Sequence, residues 1–140
     1  MTLNLIKLCV GIESIEHLQK VQKQRRGRRK VNYHYTRQMP QRGEEIAGRG
    51  SLYWVIKGFV RVRQPILALD IVHLEEEGRH CRISLDPALV AVEPTPFRAF
   101  QGWRYLEPKD APPDLRGGAG KARAAMPPEL IAELKQLGLL

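Results

Sequence analysis

The longest β-type stretch of the chain, residues 50–63, constrains the fold most strongly. Its even positions form an apolar stripe and are Leu52, Trp54, Ile56, Gly58, Val60 and Val62. Its odd positions bring aromatic rings and cations and are Tyr53, Val55, Lys57, Phe59, Arg61 and Arg63. Because side chains of a strand alternate between its faces, one face is predicted to lie in the core and the other to be functional. Gly58 predicts a bulge or bend, so the stretch is one central strand or two strands bent there.

The size and cysteine content of the chain favour a single cytoplasmic domain. With 140 residues, the chain is long enough to bury a core. Cys9 and Cys81 are far apart and follow no paired spacing, which argues against a disulfide framework and fits a reducing compartment. No apolar run approaches the length of a membrane span, and no signal-peptide pattern is present, so we expect no membrane association.

The rest of the sequence predicts an α+β fold. Residues 3–10 read as a buried strand, and Ser14 and Gly27 bracket an amphipathic helix. Pro40 is predicted to open a second, short helix. Further strands are predicted at 31–37, 66–74, 79–85, 88–93 and 100–106. Because few crossover helices separate the strands, we expect a small, mostly antiparallel, barrel-like sheet with two or three flanking helices.

Prolines and glycines predict where regular structure stops. Pro94 and Pro96 are expected to prevent a regular ladder after residue 93. Residues 1–116 are predicted to form one domain. The glycines near residue 118 predict a flexible hinge at 117–126. Residues 127–140 predict a C-terminal amphipathic helix that packs on the domain.

The positive charge of the chain is concentrated in one segment. The net charge is +8, and the segment from His17 to Gly43 contains nine bases and no acid, whereas the rest holds 14 bases and 15 acids. Such a block is typical of proteins that bind polyanions, most often nucleic acid and less often an anionic membrane surface. The alternative is a solvated basic loop without a ligand.

A nucleic-acid interface is the first functional hypothesis. It combines the basic segment, the odd face of residues 50–63, and Tyr33 and Tyr35 beside Arg37, because aromatic rings stack on unpaired bases while cations contact phosphates. The predicted binding residues are Lys23, Arg25, Arg26, Arg28, Arg29, Lys30, Arg37, Tyr53, Lys57, Arg61 and Arg63. The competing interpretation is that Tyr53 and Phe59 pack beneath helices.

An enzyme for a small anionic or nucleotide-like substrate is the second hypothesis. Its pocket is predicted to be lined by Arg37, Tyr53, Lys57 and Trp103, and Gln101, Trp103 and Arg104 are the candidates for a pocket wall. Glu44 or Glu45 would serve as the acid or base. No nucleophile elbow, phosphate loop or dinucleotide fingerprint is present, so no catalytic residue is predicted. A core tryptophan beside a bulge is the plainer interpretation of Trp103.

No metal site or cofactor is predicted from the sequence. His80 and Cys81 are adjacent and therefore point to opposite faces of a strand. The other candidate ligands show no usual metal-ligand spacing and are Cys9, His17, His34 and His73. A third hypothesis is a protein-interaction module whose basic segment contacts an acidic partner. The sequence does not determine an oligomeric state.

Four blocks of the sequence resemble a known bacterial family. They are Asn4–Gly11, Thr36–Pro40, Ser51–Gly58 and Phe100–Leu106 followed by Asp110-Ala111-Pro112. Together they are similar to the family called domain of unknown function 1489, over nearly the full length. Arg49 and Ala99 depart from the family pattern, which has glycine and proline there. The resemblance implies no activity.

A looser similarity concerns the fold. The segment of a short helix, a turn and the strand Tyr53–Gly58 is similar to parts of small PUA-like barrels, a group that includes RNA-binding modules. It implies a barrel-like sheet, whereas a fold alone does not determine a function.

Overall fold

The computed structural model of the chain describes residues 2–115. The strands in this range are β1 (Asn4–Leu8), β2 (Asn32–Thr36), β3 (Ser51–Ile56), β4 (Phe59–Leu74), β5 (Gly78–Leu85), β6 (Val90–Pro96) and β7 (Trp103–Leu106). The helices of the same range are α1 (Ile15–Arg26), α2 (Gly43–Ile46) and a 3-10 turn at Pro108–Asp110. The predicted hinge at 117–126 and helix at 127–140 lie outside the described residues. No helix within residues 2–115 combines the length and the apolar character needed to cross a membrane.

The strands form one seven-stranded sheet with the order β2-β5-β4-β3-β1-β7, and β6 pairs with β4 beside this path. Every pair is antiparallel except β1 with β3, which is parallel. The predicted α+β class and mostly antiparallel pairing are therefore confirmed. The path is open, because no ladder joins β2 to β7 among the described residues. The sheet is therefore mixed and open, whereas the sequence predicted a barrel-like sheet.

Residues 50–63 form two strands joined by a tight turn. Lys57 and Gly58 both have positive φ angles, of 50° and 84°, which is the geometry of a two-residue hairpin turn that matches the twist of the strands. The alternative of two strands that bend at Gly58 is therefore confirmed.

The predicted single exposed face of residues 50–63 is wrong, because all six residues of β3 are buried. The ladder of β3 with β4 shifts register at Arg61, so that Trp54 pairs with Val62 and Val55 with Val60. One extra residue in β4 sends Val60 and Val62 to opposite faces. Val62 and Trp54 belong to one core cluster, whereas Val60 and Val55 belong to a second.

The prediction of a separate strand at 66–74 is also wrong, since β4 continues through Pro65 for 16 residues. Pro65 lacks an amide N–H, but the ladder is completed around it. The Ile66 amide donates to the Gly50 carbonyl at 2.9 Å, and the Asp86 amide donates to the Pro65 carbonyl at 3.0 Å. β4 can thus pair with β3 and β6 along its first half and with β5 along its second half.

β6 includes both prolines that were expected to interrupt it. Pro96 pairs with Phe59 and Thr95 with Val60, although the register shifts further along this ladder. The prolines are tolerated because β6 has a full ladder on one side only; on the other side it makes a single bridge, from Val92 to Asp114. A strand of this kind needs fewer amide donors than a central strand.

Helix α1 is held on the sheet by a buried pair of glutamines. Its ends agree with the prediction, because the Ser14 hydroxyl accepts from the His17 amide at 3.0 Å and the Gly27 amide donates to the Lys23 carbonyl. Gln22 on the inner face and Gln64 on β4 exchange two amide hydrogen bonds, of 2.9 and 2.8 Å. Gln64 has no exposed surface, so this polar pair is part of the core.

Replacing Gly50 tests the close packing of β1 against β3. A Cβ at Gly50 would overlap the carbonyl oxygen of Leu3. We therefore expect Gly50→Ala to lower the free energy of unfolding by about 1–3 kcal/mol, the usual effect of overpacking. The measurement is urea denaturation followed by tryptophan fluorescence. Gly43→Ala is the control, because its Cβ would meet only the ends of flexible side chains; equal destabilisation of both variants would contradict the assignment.

Replacing Gln64 tests the buried amide pair. In Gln64→Leu the Gln22 amide and the Trp54 indole lose their partner, so we expect the free energy of unfolding to fall by about 2–4 kcal/mol. The double variant Gln22→Leu/Gln64→Leu should lose less than the sum of the two single variants, because it leaves fewer unpaired amides. Gln24→Leu, at an exposed position of the same helix, is the control. Strict additivity of the two losses would refute the coupling.

Candidate functional site

Two depressions form a continuous groove between β2 and β7, the two ends of the sheet. The outer depression has a volume of about 500 Å³ and is lined by Arg37, Gln38, Met39, Gln41, Ile71, Arg79, His80, Cys81, Trp103 and Tyr105. The middle depression has a volume of about 450 Å³ and is lined by Lys7, Tyr35, Thr36, Arg37, Gln38, Gln101, Gly102 and Trp103. They share Arg37, Gln38 and Trp103. We call them together the seam groove.

A smaller cavity adjoins the seam groove at Lys7. This inner chamber has a volume of about 150 Å³ and is lined by Lys7, Leu8, Cys9, Val10, Ile12, Leu18, Val21, Gln22, Arg25, Asn32, Tyr33, His34, Trp54 and Leu85. It lies between the end of β1, the inner face of α1 and β2. Lys7 lines both the chamber and the middle depression, so the three spaces follow one another.

The charge of these spaces has a single sign. Their lining residues include Lys7, Arg25, Arg37 and Arg79, and no aspartate or glutamate is among them in the described part of the chain. The four cations come from β1, α1, the residue after β2, and β5. Because clefts lined by charge of one sign concentrate the field, this site attracts anions.

Trp103 positions the two sides of the seam groove. Its indole N–H donates to the Gln38 carbonyl at 2.9 Å, which connects the start of β7 to the chain after β2. Its ring contacts Tyr105 edge to face, with the centroids 4.9 Å apart. The Tyr105 hydroxyl in turn accepts from the Arg42 amide at 3.1 Å. Tyr35 lines the groove with 41% of its surface exposed, so its ring is available to a ligand.

Two nitrogen groups of the inner chamber have no partner within residues 2–115. Lys7 is partly buried and makes no hydrogen bond or ion pair with any described residue. The Nε2 atom of His34 is buried and unpartnered within the same range. The His34 ring is fixed edge to face on Trp54, with the centroids 5.1 Å apart. Trp54 therefore positions the His34 ring, while the Nε2 atom of His34 and the Lys7 ammonium are left without a hydrogen-bond partner among these residues.

Burial is the main cause of the shifted pKa values of the titratable side chains in the chamber. It lowers the pKa of Lys7, an effect that Cys9 partly opposes. Burial raises the pKa of the Cys9 thiol to about 12, although Arg25 and Lys7 act in the opposite direction. Burial, with Lys7 and Arg25, lowers the pKa of His34 to about 4. At neutral pH the site therefore holds a thiol and a neutral imidazole, which does not fit a thiolate nucleophile.

The predicted basic segment surrounds the C-terminal end of α1 and is largely exposed. Its exposed members are Lys20, Lys23, Arg25, Arg28, Arg29, Lys30, Arg37 and Arg42. Arg26 is partly buried and donates to the Asn32 side chain at 2.8 Å. Arg29 and Arg82 both lie over the Tyr33 ring, at 4.9 and 4.7 Å from its centroid. The segment therefore places positive charge beside the chamber and β2.

The binding residues predicted from the central hairpin do not join this surface. Tyr53 and Arg61 are each only 6% exposed, because both faces of the hairpin are packed. Arg63 donates twice to the Asp114 carboxylate at 2.8 Å and once to the Ser51 hydroxyl at 3.0 Å. Lys57 is exposed in the hairpin turn and lines none of the three spaces. These four residues therefore do not share one exposed face, and their role in binding nucleic acid stays a prediction.

The predicted pocket forms only in part. Gln101 and Trp103 line the middle depression, whereas Arg104 lies over the Phe100 ring at 4.8 Å. Of the four residues proposed for an enzyme pocket, only Arg37 and Trp103 come together, since Tyr53 is in a core cluster and Lys57 is in the turn.

The acids and metal ligands considered for chemistry are not assembled in the described part of the chain. The Glu45 carboxylate accepts from Arg42 at 2.6 and 2.9 Å and is committed to that ion pair. Glu44 is exposed and lines none of the three spaces. Residues 2–115 contain no group of three or more His, Cys, Asp or Glu side chains arranged to hold a metal ion.

Sequence reasoning missed Lys7 and Arg79 as groove residues and considered His34 only as a metal ligand. One signal was present for Lys7: it is the one cation in the apolar run at residues 3–10, and a charge inside a buried strand is uncommon. Arg79 gave no local signal, because it reaches the groove only through the pairing of β5 with β2 and β4.

Lowering the pH should test the buried state of His34. Its pKa is about 4 when folded and 6.5 ordinarily, so the unfolded chain takes up a proton first. The contribution of neutral His34 to the free energy of unfolding is therefore fully present above pH 6.5. It is lost as the pH falls toward 4, and the total loss approaches about 3 kcal/mol. In urea denaturation at steps of pH, His34→Gln should lose less stability than the parent over this range. His73→Gln, at an exposed histidine, is the control. If the free energy of unfolding depends on pH identically in the parent and in His34→Gln, the buried neutral state of His34 is contradicted.

Comparison with known proteins agrees with the resemblance in the sequence. The family model described as Protein of unknown function (DUF1489) matches residues 5–140. No curated protein and no solved structure matches the chain. The match covers nearly the whole sequence, including every residue that lines the groove and the chamber. The chain therefore belongs to the DUF1489 family of proteins of unknown function.

Proposed function

We propose that the protein binds single-stranded nucleic acid, RNA in the first place, in the seam groove. The observation that carries this proposal is the absence of any acid among the described residues that line the groove and chamber, together with four cations from four separate elements. Phosphate contacts supply most of the affinity for a nucleic acid, and each needs a lysine or arginine within reach. A nucleic-acid backbone that lies in this groove would meet no negatively charged side chain among the described lining residues.

The aromatic side chains favour a single strand over a duplex. Tyr35, Trp103 and Tyr105 line the groove beside Arg37 and Arg79. An aromatic ring can stack only on a base that is not already paired, and such stacking contributes about 1–3 kcal/mol per base. The edge of an open sheet that carries both rings and cations therefore suits unpaired nucleotides.

The basic segment extends this surface beyond the groove. Arg28, Arg29 and Lys30 are exposed immediately after α1, and Arg25 of the same helix lines the chamber. A strand that leaves the groove near β2 meets these cations next. The charge that the sequence concentrates in residues 17–43 thus adds long-range attraction to the local contacts.

The proposal keeps the larger organisation that the sequence predicts. The predicted hinge at 117–126 and helix at 127–140 lie outside the described residues and are not part of the proposed site. We further propose that the two ends of the open sheet approach each other as in a PUA-like barrel, with the Trp103–Gln38 hydrogen bond between them in place of a strand ladder. The protein acts in the cytoplasm and needs no metal or cofactor for binding.

Charge-neutral variants of the groove test the proposed function. The probe is a labelled single-stranded RNA of about 16 nucleotides, measured by fluorescence anisotropy between about 50 and 200 mM salt. We expect the parent to bind with an affinity that falls steeply with salt. Arg37→Gln/Arg79→Gln should bind more weakly, and the slope of log affinity against log salt should fall by about 2.

The control removes the same charge elsewhere. Arg49→Gln/Arg98→Gln changes two exposed arginines that line none of the three spaces, and it should bind nearly as the parent does. Equal loss in both double variants would mean that only net charge matters, and the groove would be rejected as the site. No binding by the parent at low salt would reject the function itself.

A further inference from the structure

The inner chamber is built differently from the groove that leads to it. Its volume of about 150 Å³ is a third or less of that of either neighbouring depression. A water molecule occupies about 30 Å³ in the liquid, so the chamber has room for about five waters. That space suits one phosphate group with some solvent and is too small for a complete nucleotide.

Two nitrogen groups of the chamber lack a hydrogen-bond partner within residues 2–115. The Lys7 ammonium has no hydrogen-bonded or ionic partner among the described residues, and the buried His34 Nε2 has none either. Buried polar atoms without a partner are rare in folded proteins, and each requires an explanation. Arg25 adds a guanidinium at the chamber, close enough to affect the titration of both Cys9 and His34.

The remaining walls strengthen the attraction for an anion. Leu18, Trp54 and Leu85 form apolar walls of the chamber, and charged hydrogen bonds are stronger beside such walls than in bulk water. Cys9 remains a neutral thiol at neutral pH, so it brings no competing negative charge. His34 lies in the wall of the chamber beside these cations, and its ring reports the charge there, because Lys7 and Arg25 both affect its titration.

We propose that the inner chamber binds a phosphate monoester, held by Lys7 and Arg25 beside the His34 ring. Building on the function proposed above, this group is the terminal phosphate of a strand that lies in the seam groove and enters the chamber past Lys7. A terminal phosphate carries up to two negative charges and three acceptor oxygens. An internal phosphodiester carries one negative charge and is bonded to a sugar on each side. The chamber therefore distinguishes a strand end from its interior.

Oligonucleotides that differ only at their ends test this inference. Single-stranded RNAs of one sequence carry a 5′-phosphate, a 3′-phosphate or hydroxyls at both ends, and their affinities are compared by competition. One phosphorylated form should bind about tenfold more tightly than the hydroxyl form, the effect of hydrogen bonds to a charged group. Lys7→Met should lose this preference and keep the apolar stem of the side chain, whereas Lys109→Met, at an exposed lysine outside the chamber, should keep it.

Histidine NMR with inorganic phosphate tests the chamber without RNA. The side-chain ¹⁵N resonances of His34 should shift on addition of millimolar phosphate, whereas those of exposed His73 should not. The shift should disappear in Lys7→Met. The His34 resonance of the phosphate-free variant also reports whether the variant is folded, so a loss of binding is separated from unfolding.

The two experiments separate this inference from the function it builds on. Equal binding of all three RNAs, with no effect of phosphate on His34, would overturn the chamber as a phosphate site while the groove stands. If no RNA binds but inorganic phosphate still shifts His34 through Lys7, the chamber is supported and its ligand is a free phosphate monoester. Failure of both would reject the site altogether.

Discussion

Gln64 makes every hydrogen bond that its amide can make, inside the core of the protein. Its oxygen accepts from the Gln22 amide and the Trp54 indole, and its nitrogen donates to the Gln22 oxygen and the Asp86 carbonyl. One side chain thereby joins α1, β3, β4 and the connection between β5 and β6. An apolar contact would tolerate a sliding helix, whereas the two directional bonds between Gln22 and Gln64 hold α1 in one position, and the bonds to Trp54 and Asp86 fix Gln64 itself. That position places Arg25 at the inner chamber and brings the basic segment beside β2.

The proposed binding site lies between the two unpaired ends of the open sheet. β2 and β7 are the ends of the sheet, and unpaired strand edges invite unwanted pairing with other chains. Both strands are short, and side chains fill the space between them: Trp103 reaches Gln38, while Arg37 and Lys7 line the gap. The features that protect these edges from another strand are the same features that make them attractive to a polyanion.

Local signals in the sequence predicted local structure well. Ser14 and Gly27 marked the ends of α1, and the Gly78 turn marked the hairpin of β4 and β5. Features that depend on partners were missed: the extra residue at Arg61 changes which side chains share a face, and both faces of β3 are covered. The groove escaped prediction for the same reason, since Lys7, Arg79 and Trp103 are distant in the chain and meet only through strand pairing. Basic charge near β2 was predictable from composition, but the cavity that gives this charge a shape was not.

The position of β1 has a consequence for how the chain folds as it is synthesised. Leu5 pairs with Leu52 on one side and with Tyr105 on the other, so neither partner of this first strand is near it in the chain. On the ribosome β1 stays without a ladder until β3 has emerged, and one of its edges stays open until β7 follows. Such long-range pairing slows folding and leaves an apolar strand exposed in the meantime. β1 is therefore the strand whose place in the sheet depends most on the completion of the rest of the fold.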